Sequence, residues 1–266
     1  MKNRTILTLL YLLAIGLLFG FSFLPEGFRM YSSALALFLP LAIGVLVFAK
    51  KNGFRIPMYE GKGDGALPYL FYAPILLMII FISLATSLVM ALFGLSNPPL
   101  DDLPLFEAIV TYAVLPAILE ECFYRVLPVM ALGEEDTKSV CIISTLVFGF
   151  AHLSVFSIPY ALFAGLSFFF INRLAKSPLP SILLHLLNNL LSILFMYTEN
   201  YEAVFSLTMK TLTILSVASI ALMWLFYKDR LRELADEIRA PKERFRATWD
   251  IIAYLALTGV LTILFI

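Results

Sequence analysis

Cysteine, histidine and charge are all scarce in this chain of 266 residues, which holds two cysteines, two histidines and 14% charged side chains. Cys122 and Cys141 both sit inside apolar runs, so they supply neither a disulfide framework nor a multi-cysteine metal site. With so little charge against 61% hydrophobic residues and a mean hydropathy of +0.92, the composition excludes a water-soluble globular fold, which could not hide that much apolar surface. A formal net charge of zero goes with no expected nucleic-acid partner. Internal repeats, low-complexity tracts and a soluble domain are also absent, so residues 1–266 read as one membrane domain whose partners are lipids.

What is present is a series of long apolar runs. A helix needs about 20 apolar residues to cross a hydrocarbon core of about 30 Å, and eight or nine runs approach that length. They fall at 5–25, 30–49, about 69–95, about 107–132, two within 139–172 that divide near Ser154 to Pro159, 179–197 and about 205–227. The Asn97-Pro98-Pro99 segment is expected to end the third. The first is longer than a signal-peptide core and no A-x-A-like cleavage site follows it, so it reads as a retained helix. A charged stretch, Lys228 to Asp250, precedes a last apolar segment that is short for a span and is expected to tilt, pack at an edge or lie in the interface. The fold class is therefore all-α, a polytopic transmembrane bundle of eight or nine helices.

Basic residues are retained on the cytoplasmic side of membrane proteins. With nine spans, sixteen of the nineteen fall on one side, in groups beginning at Lys2, Lys50, Lys138, Arg173 and Lys228. Arg29 and Lys210 fall on the other side with Asp101 and Asp102, and Arg125 lies inside a span. This places the amino terminus in the cytoplasm. The alternating charges from Lys228 to Arg246 then read as a solvated cytoplasmic helix, their mixed sign weakening a lipid-headgroup contact.

Ionisable side chains are costly in hydrocarbon and mark sites or buried pairs. Three runs carry them: Glu120, Glu121 and Arg125 in the fourth, His152 in the fifth, and His185 with Asn188 and Asn189 in the seventh. Residues four apart share a helix face, whereas adjacent residues are turned by about 100°. Glu121 can thus pair with Arg125, a structural pair, while Glu120 points elsewhere, free to meet neighbouring helices. His185 and Asn189 can project toward one point, and Phe148 stands as an aromatic wall beside His152. Asn188 is the weaker choice, suited to a helix-to-helix hydrogen bond.

In order along the chain these residues resemble the CPBP membrane proteins, the family of type II CAAX prenyl endopeptidases and bacteriocin-processing relatives. The resemblance rests on E-E-x-x-x-R at Glu120, Glu121 and Arg125, F-x-x-x-H at Phe148 and His152, and H-x-x-x-N at His185 and Asn189. No motif residue departs from the pattern, which fills a catalytic core of about 105–200. The resemblance implies a helix bundle enclosing a polar cavity, expected near the cytoplasmic half of the bilayer, in which a hydrophobic or lipidated substrate is cleaved near its carboxyl terminus. By similarity, Glu120 and His152 would position and deprotonate water, His185 and Asn189 would donate to the oxyanion, and Glu121, Arg125 and Phe148 would support them. A wide apolar cavity for a lipid or hydrophobic peptide would draw on the 24 phenylalanines, most of which face lipid or pack.

Peptide hydrolysis needs a base for water and donors for the oxyanion, and Glu, His and Asn supply both. A metal-free, glutamate-type protease with no cofactor is favoured. Zinc held by Glu120, His152 and His185 is the competing reading, weakened by the lack of an H-E-x-x-H helix. A proton-coupled transporter would predict an inverted repeat, and none is seen. A catalytically inactive scaffold or immunity protein of the same family would predict a lost motif residue. The basic-residue bias yields a first test: a cysteine at position 51 should react with an impermeant thiol reagent only after the cytoplasmic side is opened, and one at position 101 in intact cells. Labelling of position 51 from outside would reverse the topology.

Overall fold

The computed structural model describes residues 2–21, 23–25, 31–52, 56–96, 103–132, 137–239 and 249–264. Among them nine helices form and no strand. They are α1 Lys2–Phe21, α2 Ser32–Asn52, α3 Leu67–Leu92, a continuous α4 over 105–132, α5 Thr137–Ala151, α6 Ile158–Ala175, α7 Leu179–Tyr197, α8 Tyr201–Arg239 and α9 Trp249–Leu264. Six of these, α1, α2, α3, α6, α7 and α8, are long and apolar enough to cross a membrane. The chain is an integral, multi-pass membrane protein of all-α fold.

Two boundaries differ from the expected ones for local physical reasons. Gly94, at φ +73°, ends α3 ahead of the prolines. The Leu95 amide donates to the Met90 carbonyl at 3.1 Å and the Gly94 amide to the Ala91 carbonyl at 3.0 Å, a Schellman closure that needs the left-handed residue. The Asn97-Pro98-Pro99 segment itself lies outside the described residues, as do Arg29, Arg55, Asp101, Asp102, Lys242, Glu243, Arg244 and Arg246. α8 does not stop at 227 but continues to Arg239, because its charges are paired one turn apart: Arg230 with Glu233 and Arg232 with Asp229, each at 3.1 Å. Such exposed pairs are individually weak. The Arg230 fork also reaches both carboxylate oxygens of Asp64 at 3.1 to 3.2 Å, tying the helix end to the loop before α3.

Chain reversals alternate between two ends of the bundle. At one end the Asn3 amide donates to the Ala131 carbonyl at 2.7 Å and the Asp64 amide to the Leu174 carbonyl at 2.9 Å, so the start of α1 and the ends of α4 and α6 lie together with the basic loops. At the other, the Tyr197 hydroxyl donates to the Leu103 carbonyl, joining the end of α7 to the start of α4. The short α9 packs against α5 and α1 at the edge of the bundle, its buried Tyr254 donating to the Val147 carbonyl at 3.2 Å.

Lipid removes the hydrophobic drive between helices, so close packing must hold them together. Large apolar side chains such as Leu88, Leu92, Leu207, Ile214 and Phe226 face outward. At the α5–α6 contact, glycines admit the partner: a Cβ on Gly149 would lie 2.4 Å from Leu162, and one on Gly165 would lie 3.2 Å from Phe148. Gly63 is tighter still, since a Cβ there would meet the Ala175 carbonyl oxygen at 2.2 Å, a backbone atom that cannot rotate away. Gly63→Ala should therefore break the Asp64 amide to Leu174 contact and lower stability by about 1 to 3 kcal/mol, read as a reduced Tm in detergent. An unchanged Tm would show that the loop does not brace α6.

Candidate active site

Helix α4 carries the carboxylates and is irregular where it does so. Its backbone widens to π geometry over Ile109–Val114 and again over Cys122–Val126, and each widened turn ends two residues before a proline, Pro116 and Pro128. A proline lacks the N–H that would bond the carbonyl four residues back and crowds that carbonyl. Those carbonyls belong to Tyr112 and Tyr124, one inside each π segment, and the wider turn relieves the crowding. The Tyr124 carbonyl is taken by the buried Ser144 hydroxyl of α5, which satisfies it across the helix interface.

Glu121 and Arg125, one turn apart, have wholly buried side chains with Nη1 and Oε1 3.2 Å apart. The pair is Coulombic rather than a directed hydrogen bond, because none of the guanidinium nitrogens has a hydrogen-bond partner among the described residues. Instead the Arg125 guanidinium carbon sits 3.7 Å from the Phe148 ring centroid and 5.5 Å from that of Phe168. Aromatic faces attract a desolvated cation. Phe148 is thus more than a wall beside His152; it also seats the arginine.

His185 approaches α4 from α7. Its Nδ1 lies 3.1 Å from Glu121 Oε1, and its Nε2 lies 3.9 Å from Glu120 Oε2. Spacing along α4 pairs Glu121 with Arg125 alone; the structure corrects this, since Glu121 also takes the imidazole. A carboxylate oxygen accepts, so Nδ1 carries the proton. His152, just past the end of α5, has Nδ1 2.9 Å from the Phe148 carbonyl, which again fixes the proton on Nδ1 and leaves the Nε2 lone pair available in the neutral ring. The imidazole centroids stand 4.9 and 6.0 Å from that of Phe148, which bounds them to within about 11 Å of each other.

Glu120 keeps 20% of its side chain exposed and, with His152, Tyr124 and Ala151, lines a cavity of about 110 Å³ whose remaining wall comes from α1 and α2. Glu120 lies eleven residues before Ala131 on α4, which puts it about 17 Å along the helix from the Asn3 to Ala131 contact. The cavity's more exposed lining, Leu18 and Ser33, lies toward the end opposite the basic loops. Among the described residues no phenylalanine lines this cavity; small and aliphatic residues of α1 and α2 do.

Asn189 lies one turn beyond His185, half-buried, and its Oδ1 accepts from Asn188 at 3.2 Å rather than meeting either histidine. Asn188 therefore serves its neighbour, not another helix. Glu120, Glu121, Arg125, Phe148, His152 and His185 form one contiguous set, and Asn189 follows His185 one turn along α7. Among the described residues no group of three His, Cys, Asp or Glu side chains is placed to hold a metal ion.

Sequence reasoning missed the residues that aim α7. Asn172, in the last turn of α6 and fully buried, donates through Nδ2 to Ser181 Oγ at 2.7 Å and accepts the Ser181 amide on Oδ1 at 3.1 Å. That amide is one of the unpaired donors of the α7 amino terminus, and Ser181 is one turn before His185 on the same face. Tyr59, from the short turn Pro57–Tyr59, is half-buried with its hydroxyl turned inward, and desolvation followed by the Glu121 charge raises its phenol above the ordinary range. Nothing in the sequence distinguished Asn172 from any polar residue near a helix end. Asn172→Leu strands a buried amide and should lower stability by about 1 to 3 kcal/mol. Ser181→Ala keeps the amide bond and should cost less; thermal unfolding in detergent that ranks Ser181→Ala as the more damaging would refute the bracing role.

Residues 102–191, about a third of the chain, match the family described as type II CAAX prenyl endopeptidase Rce1-like. No curated protein and no solved structure matches the chain. The matched segment contains Glu120, Glu121, Arg125, Phe148, His152, His185 and Asn189, and by it the chain is similar to the CAAX-type intramembrane protease family that its three motifs resemble.

Proposed function

We propose that the chain is an intramembrane endopeptidase of glutamate type, acting without a metal on a membrane-associated peptide substrate, hydrophobic or lipidated, with its amino terminus in the cytoplasm. One observation carries the reading: Glu120 is the open carboxylate between two imidazoles, sharing a cavity with His152 and standing 3.9 Å from His185 Nε2. That gap is too long for a direct hydrogen bond. A water seated to one side of it can reach both atoms at about 2.8 Å, and as its oxygen bonds to carbon the His185 Nε2 contact passes to the adjacent oxyanion.

In the proposed reaction the Glu120 carboxylate takes a proton from water as the water oxygen bonds to the scissile carbonyl carbon, with His152 Nε2 accepting the water's other hydrogen bond. The carbonyl oxygen becomes an oxyanion. Asn189 donates to it through Nδ2, since its Oδ1 is already occupied, and His185 donates through Nε2 when the ring carries both protons beside Glu121. The carbonyl then re-forms, the C–N bond breaks, and Glu120 returns its proton to the leaving amine. Glu121 and Arg125 take no part in proton transfer; they hold His185 and α4.

These unequal roles predict unequal damage. Glu120→Gln keeps shape but removes the base, so cleavage of a hydrophobic carboxyl-terminal peptide should fall about a hundredfold or more with the Tm unchanged. His152→Ala should be comparably severe, and Asn189→Ala should cost on the order of a hundredfold to a thousandfold in turnover. Glu121→Gln leaves Arg125 without its counter-charge in the bundle interior, so Tm and yield should fall along with activity. Undiminished cleavage by well-folded Glu120→Gln protein would eliminate the assignment of the base and the mechanism with it.

A further inference from the structure

We propose that Tyr59, carried by the loop between α2 and α3, is a positioning residue for the reaction: its hydroxyl completes the Asn172–Ser181 brace that aims His185. The proposal rests on the hydrolytic reading of Glu120 and His152, and it adds to the site a residue outside the matched segment 102–191.

The turn that presents Tyr59 has little freedom of its own. The Tyr59 amide donates to the Ile56 carbonyl at 2.8 Å, and Ile56 and Met58 pack against the main core. The turn rests on α6 and on the end of α4. Further along the same loop, the Asp64 amide donates to the Leu174 carbonyl and Gly63 lies against Ala175. The loop is thereby pressed onto the last turn of α6, the turn that holds Asn172.

Asn172 has one more donor than Ser181 uses. Its side chain is fully buried; one Nδ2 hydrogen goes to Ser181 Oγ at 2.7 Å and Oδ1 takes the Ser181 amide at 3.1 Å, which leaves the second Nδ2 hydrogen for a third partner. The Tyr59 hydroxyl is turned inward and, among the described residues, is in bonding geometry with nothing. Asn172 is nevertheless close enough to act on the phenol, as are Glu121, Arg125 and Cys122. A buried donor and a buried acceptor are each costly when left unsatisfied, and a small rotation of the tyrosine side chain joins these two. Burial and the Glu121 charge hold the phenol's proton in place, so its oxygen stays a neutral acceptor.

With that bond made, Asn172 is held from two sides, by Ser181 and by Tyr59, and cannot swing away from the amino terminus of α7. Ser181 stands one turn before His185, so the rotation of α7 that sets Nδ1 3.1 Å from Glu121 and Nε2 3.9 Å from Glu120 depends on the loop residue. Tyr59 touches neither the water nor the substrate; it acts through Asn172 and Ser181.

Tyr59→Phe keeps the ring and removes the hydroxyl alone. In the full chain in lipid nanodiscs it should lower kcat for a hydrophobic carboxyl-terminal peptide about tenfold, the scale of one buried hydrogen bond, with KM changed by less than about twofold. In an Asn172→Leu background the same change should lower kcat by less than about twofold, because the two residues act as one unit. A second measurement does not need turnover, since the chain has two histidines: with 15N-labelled histidine, and His152→Gln protein to assign the signals, Tyr59→Phe should move the His185 nitrogen resonances and leave those of His152 in place. An unchanged kcat, a loss confined to KM, a full tenfold loss in the Asn172→Leu background or unmoved His185 signals would each overturn the proposal. A lowered Tm with both histidines displaced would overturn it too, marking the loop as general support. His185 signals moved by Tyr59→Phe, in a chain whose unsubstituted form cleaves no peptide, would keep the positioning role and remove the hydrolytic reading instead.

Discussion

Glu121, Arg125 and His185 lie where a membrane protein has only other side chains to replace water, and their mutual contacts constrain the rest of the bundle. A lone charge in that setting is costly, whereas a pair with a second neutralising contact is tolerable. Glu121 Oε1 meets both Arg125, at 3.2 Å, and His185, at 3.1 Å. The arginine is then shielded by the faces of Phe148 and Phe168. Since these groups come from α4, α5, α6 and α7, satisfying one buried carboxylate fixes four helices against each other.

The helix that bears the carboxylates meets that constraint through its prolines. Pro116 and Pro128 would break a helix in water, where freed carbonyls find solvent; inside the bundle the carbonyls must be satisfied by neighbours. The π turns and the Ser144 contact to Tyr124 do so. Because a π turn contains an extra residue, it rotates the next stretch of helix relative to a regular α-helix, and the segment between the two turns, Leu115–Glu121, is the one that ends in the paired carboxylates. The glycines of the α5–α6 contact serve the same end by letting Phe148 approach closely enough to lie over the guanidinium.

Much of this is legible in the sequence, for a physical reason: hydrocarbon imposes length and polarity rules that water does not. Apolar run lengths anticipate the number of helices and the 179–197 helix to the residue, and the rarity of intramembrane charge singles out Glu120, Glu121, Arg125, His152 and His185. Four-residue spacing anticipates the Glu121 to Arg125 pair and the Phe148 to His152 contact. Spacing along single helices cannot anticipate the His185 to Glu121 contact, which depends on how α7 is rotated against α4. That rotation is set by Asn172 and Ser181, residues whose types are unremarkable near any helix end. The end of α3 escapes a reading of the prolines because a left-handed glycine acts before them.

Two adjacent glutamates with opposite environments make the chemistry of the site intelligible. A rotation of about 100° per residue turns Glu121 into the packed core, wholly buried and in contact with Arg125 and His185, and turns Glu120 into a cavity with 20% of its side chain exposed. The inner carboxylate is held by its contacts and cannot exchange protons without unsettling four helices. The outer one stands 3.9 Å from its imidazole neighbour, beyond hydrogen-bond reach. Their adjacency also couples them through one imidazole: Glu121 fixes the Nδ1 proton of His185, and that orientation aims Nε2 at Glu120. In the proposed reaction the base moves a proton while its surroundings stay still, and the E-E sequence sets that base one helical step from the carboxylate that holds them.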